Sequence, residues 1–201
     1  MKIYFVRHGE SEANILKEFS NWGDKHPLTE KGRQQAEVLA QNLEELPLKK
    51  IFTSPIKRAR ETAEILSTAL NIPAEVTEAL REGDVGALEG RADPASWAIY
   101  QQVQNAWWEG DFDISTKDGE SFTAMQARFM PFIEKLIAAD SGDVVLIGHG
   151  ALYRFMLPEL LINIDAEWAY PHAIGNTAYI LAETDPEGLG CVEWCGVKPA
   201  V

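Results

Sequence analysis

Positive charge is scarce in this sequence. Lysine and arginine total 18 against 31 aspartates and glutamates, a formal net charge of −13 over 201 residues. That balance repels nucleic acid and anionic membranes, so neither is an expected partner. Cysteine is scarcer still. Cys191 and Cys195, in GCVEWCG, cannot build a disulfide framework. With no further cysteine or histidine nearby they form no metal set, and they read as reduced thiols of a cytoplasmic protein. Long apolar runs are missing too. The N-terminal run stops at Val6, so no signal peptide is expected. Residues 144–162 (VVLIGHGALYRFMLPELLI) are interrupted by His149, Arg154, Pro158 and Glu159, and read as strand plus helix rather than a membrane span. Internal repeats, low-complexity tracts and long linkers are absent as well. The length predicts a single domain, 1–201.

Several functional signatures are also absent. There is no G-x-x-x-x-G-K-[ST] loop, no G-x-G-x-x-G after a strand, no G-x-S-x-G elbow and no H-E-x-x-H zinc spacing. Nucleotide-triphosphate, dinucleotide, serine-hydrolase and zincin readings fall away.

What is present is alternation. Residues 2–7, 50–54, 74–80, 143–148, 177–183 and 190–195 read as strands. Residues 29–46 carry Ala36, Leu39, Ala40 and Leu43 at helical spacing, with Thr29 as N-cap and Pro47 as stop. A second helix is predicted over 55–70, with Ser54 as N-cap and Pro55 at its first position. Two more fall at 121–139 and 151–161. Strands alternating with helices predict an α/β fold, a three-layer α/β/α sandwich on a mostly parallel mixed sheet. Ligands of such sheets bind beyond the carboxyl ends of the strands.

The predicted strand ends share one chemistry. Arg7, His8 and Gly9 follow the first strand, and Ser54, Pro55 and then Arg58 the second. Arg81, Glu82 and Gly83 follow the third, and Gly148, His149 and Gly150 the fourth. Guanidinium forks bind phosphoryl oxygens bidentately. A neutral imidazole is a nucleophile, a protonated one can donate to the transferring oxygens, and a carboxylic acid can protonate a leaving oxygen. The arginines supply the electrostatics and repel a divalent cation, so no metal or other cofactor is expected.

These residues resemble a known family. Arg7-His8-Gly9 with Glu10-Ser11 and Asn14, then SPIKRARETA at 54–63, LREGDVGALEG at 80–90 and IGHG with Arg154 are similar to the ordered motifs of the histidine phosphatase superfamily, in the branch of the cofactor-dependent phosphoglycerate mutases. Pro27-Leu28-Thr29 and Gly32 match as well. The resemblance implies a phosphoglycerate mutase-like fold, with His8 as the phosphorylated nucleophile. It implies a phosphate pocket of Arg7, Arg58 and His149, joined by Gly150, with Asn14 contacting phosphate or substrate. Glu82 would be the general acid and then activate water, and the Gly9 carbonyl would fix the His8 tautomer. The mutases of the branch carry an extra insert with no obvious counterpart here, so the expected activity is hydrolysis of a small-molecule phosphomonoester. Mutase action and hydrolysis of phosphoproteins are the alternatives, the latter ranked below small molecules, and a second copy of the chain is left open as a partner.

Residues 91–120 fall where the family varies its cap. They carry Trp97, Tyr100, Trp107, Trp108 and Phe112, and six acidic residues against two basic. The aromatics read mainly as helix packing. If they reach substrate, they predict an apolar, negatively charged rim. Arg60 and Arg81 are expected in surface ion pairs, with Glu64 and Asp84. His26 and His172 read as surface or loop residues, Asn176 as the boundary of the last long strand, and Gly9 as giving the backbone room beside the His8 ring.

Overall fold

The structure is a computed structural model and describes residues 1–140 and 142–199. In chain order the elements are β1 (Lys2–Arg7), α1 (Glu12–Leu16), α2 (Glu30–Leu43), β2 (Leu48–Thr53), α3 (Lys57–Leu70), β3 (Ala74–Val76), α4 (Pro94–Trp108), α5 (Phe122–Ala139), β4 (Asp143–Gly148), α6 (Gly150–Met156), α7 (Ala166–Ala169), β5 (Tyr179–Asp185) and β6 (Gly188–Trp194). Short 3₁₀ turns sit at Glu78–Leu80 and Gly86–Leu88.

One six-stranded sheet runs β3-β2-β4-β1-β5-β6. β3, β2, β4 and β1 are parallel, and β5 pairs antiparallel to β1 and to β6. The central strands β1 and β4 are almost wholly apolar because helices cover both faces. Alternate residues serve the two faces. Ile3, Phe5, Val144 and Leu146 join the side chains of α5 and α6, while Tyr4, Val6, Val145 and Ile147 join those of α2 and α3. The architecture is therefore the expected three-layer mixed-sheet sandwich. Among the described residues, no helix is long and apolar enough to cross a membrane.

Register sets the functional edge. Arg7 pairs with Gly148, and Thr53 pairs with Ile147. The His8 amide donates to the Gly148 carbonyl at 3.1 Å, and the Ser54 amide to that of Ile147 at 2.9 Å. His8, Ser54 and His149 thus leave neighbouring strands at the same level.

Several local expectations change. α3 begins at Lys57 with Ile56 as N-cap; the Ser54 hydroxyl accepts from the Ile56 amide at 3.2 Å, ahead of the helix, and also meets His149. The third strand stops at Val76, since Thr77 caps a 3₁₀ turn by accepting from the Ala79 amide. That turn buries Leu80 and sends the chain toward the edge. α6 ends at Met156, not Leu161, because Pro158 has no amide donor and disfavours helix before it. Gly9 gives room against a different neighbour from the one expected. A Cβ on Gly9 would lie 2.5 Å from the Gly32 carbonyl oxygen, and one on Gly32 would lie 1.9 Å from that of Glu10. The loop carrying His8 crosses the first turn of α2 backbone against backbone, and two glycines permit it.

Candidate active site

His8 is buried at the end of β1. Its Nδ1 lies 2.7 Å from the Gly9 carbonyl oxygen, and Arg58 Nε donates to its Nε2 at 2.8 Å. A carbonyl can only accept and a guanidinium can only donate. The ring is therefore the Nδ1–H tautomer with its lone pair on Nε2. Burial first, then Arg58 and Arg7, hold its pKa well below the ordinary histidine value, so the neutral form dominates.

Arg58 reaches in from the first turn of α3. Its Nη1 donates to the Ser20 carbonyl and its Nη2 to His149 Nδ1 at 3.3 Å. Burial lowers its pKa to about 10, which leaves it charged at neutral pH. Arg7 is held by the Ile174 carbonyl through Nη1 at 2.7 Å, and its buried Nε has no partner. Gly150 packs beside it, and a Cβ there would lie in ordinary contact with the Arg7 side chain.

His149 is fully buried, its ring 5.1 Å from that of His8 and tilted by 61°. Its Nε2–H donates to Ser54 Oγ at 2.8 Å. Burial, followed by Arg58, pushes its pKa well below the usual value. A protonated second histidine was one expectation, but in this site His149 is neutral and lies behind Arg58 instead of lining the open cleft. Glu82 docks its carboxylate on backbone amides, accepting from Leu152 at 2.8 Å, Gly83 at 3.1 Å and Ala151 at 3.2 Å.

Arg7, His8, Asn14, Arg58, Glu82 and Gly150 line one cleft of about 280 Å³. Three residues the sequence reading did not place belong to its support. Ser54, read as a helix cap, orients His149. Thr62 accepts from the Gly9 amide at 3.1 Å and donates to the Arg58 carbonyl at 2.8 Å. Asn176, read as a strand boundary, donates from Nδ2 to the His8 carbonyl at 3.0 Å and to Asn14 Oδ1 at 3.3 Å. Only its position just ahead of β5, which pairs with β1, could have pointed to it.

The cap splits into two. Trp107, Trp108 and Phe112 pack against Phe122, Phe155 and Tyr170. From the cap, only Trp97, Tyr100 and Gln104 line the cleft. No acidic residue of 91–120 does, so the expected negative rim is not at the mouth. Asp93 caps α4 and pairs with Arg91, while Glu120 pairs with Arg81 and Arg128. Arg81 therefore pairs with Glu120 and Glu78, not Asp84, and lies over the Trp22 ring. Arg60 pairs with Asp24, not Glu64. His26 is buried, with Glu12 and Glu18 on either side of its ring. His172 sits in a loop, stacked on Trp168.

The fold and edge define an α/β sandwich that presents a lone-pair imidazole among arginines at the carboxyl ends of parallel strands. The profile of the histidine phosphatase superfamily (branch 1) matches residues 3–196, and the chain belongs to that family. It is 30% identical over 162 residues to the adenosylcobalamin/alpha-ribazole phosphatase of Salmonella typhimurium LT2, covering 80% of each chain. It is 29% identical over 189 residues to 2,3-bisphosphoglycerate-dependent phosphoglycerate mutase 2 of Gloeobacter violaceus, covering 88% of this chain and 86% of that one. Bacillus stearothermophilus YhfR superposes with a TM-score of 0.84 at 27% identity, over 98% of both chains. Mycobacterial glucosyl-3-phosphoglycerate phosphatase shares the fold with a TM-score of 0.82 at 24% identity, over 98% of this chain and 99% of that one.

Proposed function

We propose that this chain is a phosphatase that hydrolyses small-molecule phosphomonoesters, without a metal, through a phosphohistidine on His8. The observation that carries the reading is the His8 ring itself: the Gly9 carbonyl on Nδ1 leaves the lone pair on Nε2, beside Arg58 at the cleft floor. An incoming phosphate dianion competes for Arg58, and its oxygens take the guanidinium donors now spent on Nε2 and Ser20. Nε2 then attacks phosphorus as the P–O bond to the organic group breaks. Arg7 and Arg58 balance the charge on the equatorial oxygens, with His149 holding Arg58 from behind. Glu82 donates a proton to the leaving oxygen, then withdraws one from the water that cleaves the P–N bond and releases inorganic phosphate. Two guanidiniums do the electrostatic work given to metal ions in other phosphoryl-transfer sites.

Hydrolysis is favoured over mutase action because His8 lines an open cleft of about 280 Å³, which water can enter. Mutase action would need that water excluded. The named mutase relative makes this worth testing directly: efficient interconversion of 3- and 2-phosphoglycerate by the purified chain would overturn the phosphatase reading.

The main test is a phosphomonoester panel with chelator present, run beside His8→Ala. The expected result is chelator-resistant turnover, an acid-labile phosphoryl group on His8 in rapidly quenched samples, and loss of both in the variant. Activity that survives His8→Ala, or that needs added metal, would overturn the mechanism.

A further inference from the structure

The cleft has an aromatic wall that the proposed chemistry does not use. Trp97 of α4 stacks on Phe19, with centroids 4.2 Å apart and planes 29° apart, and meets Tyr100 edge-on at 6.0 Å. Its Nε1 donates to the Lys17 carbonyl at 2.8 Å. These contacts fix the indole from one ring face, one edge and its only polar atom. The residue is nevertheless more than a third exposed and lines the cleft that holds His8 and Arg58. A large, rigid ring left partly uncovered in a cleft is apolar surface awaiting a partner.

Polar groups beside that wall are already engaged within the protein. Asn21 Nδ2 donates to the Gly83 carbonyl at 2.7 Å, and Glu18 Oε1 is held by Lys25 and His26. The Tyr100 hydroxyl is bonded to Gln104. A flat hydrocarbon face against the indole needs no such partner.

We infer that Trp97 is the platform for the organic part of the substrate, and that the preferred substrates are phosphomonoesters whose body carries a flat, unsaturated ring. The inference rests on the phosphatase reading above and adds the substrate class to it.

Benzyl phosphate and cyclohexylmethyl phosphate test it. Both release a primary alcohol and carry the same charge, so they differ in the planarity of the ring and not in leaving-group chemistry. The wild-type chain should favour the benzyl ester by roughly three- to tenfold in kcat/KM, mostly through KM, as expected for one aromatic stacking contact. Trp97→Leu should bring that ratio to about one, while Trp97→Phe keeps most of it. A merely structural role would lower turnover of both esters together and leave the ratio intact. A wild-type ratio near one, or a ratio unchanged in Trp97→Leu, overturns the platform and leaves the phosphatase reading standing. The wild-type ratio needs no variant to fold. Hydrolysis of neither ester would overturn the phosphatase reading, and the platform with it.

Discussion

Arg58 Nε lies 2.8 Å from His8 Nε2 and donates to the nitrogen that the proposed mechanism needs as nucleophile. The lone pair is therefore covered by the group that, in that mechanism, grips the phosphate. Arg58→Ala uncovers Nε2 but removes the transition-state donor. The expected outcome is a fall of about 10²–10³ in kcat/KM, the range seen for losing one preorganised donor. Inorganic phosphate should also become a weaker inhibitor. Steady-state kinetics with phosphate as competitor checks both.

pH dependence follows from the two buried imidazoles. Burial and the arginines hold the His8 and His149 pKa values well below 6.5. As pH falls through 6.5 the unfolded chain takes up protons that the folded chain refuses, so stability falls with pH in that window. The slope is about 1.4 kcal/mol per pH unit for each histidine, and it flattens once the folded-state values are reached. Thermal unfolding from pH 7 to 5 should show a steeper loss for wild type than for His149→Gln. For the same reason, the acid limb of kcat/KM assigned to His8 should lie below pH 6.5.

Glu82→Gln tests proton delivery. Loss of a general acid typically costs 10²–10⁴-fold, and it matters most for a poor leaving group. Turnover of an alkyl phosphate should drop by about that amount, and turnover of p-nitrophenyl phosphate by much less. Equal losses for the two esters would remove Glu82 from the role of proton donor.

Gly9→Ala tests the backbone crossing. The added Cβ would sit 2.5 Å from a backbone oxygen that cannot rotate away. The expected cost is about 1–3 kcal/mol of overpacking, with misplacement of His8. Denaturant unfolding should show the loss. Gly23→Ala is the control: its added Cβ meets no atom within 4 Å, so it tests only the strain of a φ of +66°.

The sheet was legible because β1 and β4 are unbroken apolar runs ending in polar clusters, and buried parallel strands leave that mark. Thr29 at the head of α2 was legible for the same kind of reason, since a cap acts on an amide three residues away. Arg7, His8, Arg58, Glu82 and Gly150 stood out as strand-end chemistry, and the fold brings them to one cleft, with His149 directly behind. Ser54 was named at a strand end but not as a partner of His149, and Asn176 did not stand out. Each has an ordinary local reading, as cap and as strand boundary, and their bonds to His149 and His8 span 95 and 168 residues of sequence. The acidic cap was misread for a related reason: charge counts carry no direction, two of the six carboxylates, Asp93 and Glu120, turn to Arg91, Arg81 and Arg128, and none of the six lines the cleft.

The amide of His8 is bonded into the ladder between β1 and β4, the two innermost strands of the sheet. Amides in such a place open only when the whole sheet opens, whereas a helix outside the sheet such as α4 can detach alone at lower free energy. The proposed nucleophile and the aromatic wall therefore belong to units of different stability. Gentle warming or mild denaturant should loosen the discrimination among substrates first. The capacity to form a phosphohistidine should persist until global unfolding, so promiscuity would precede inactivation.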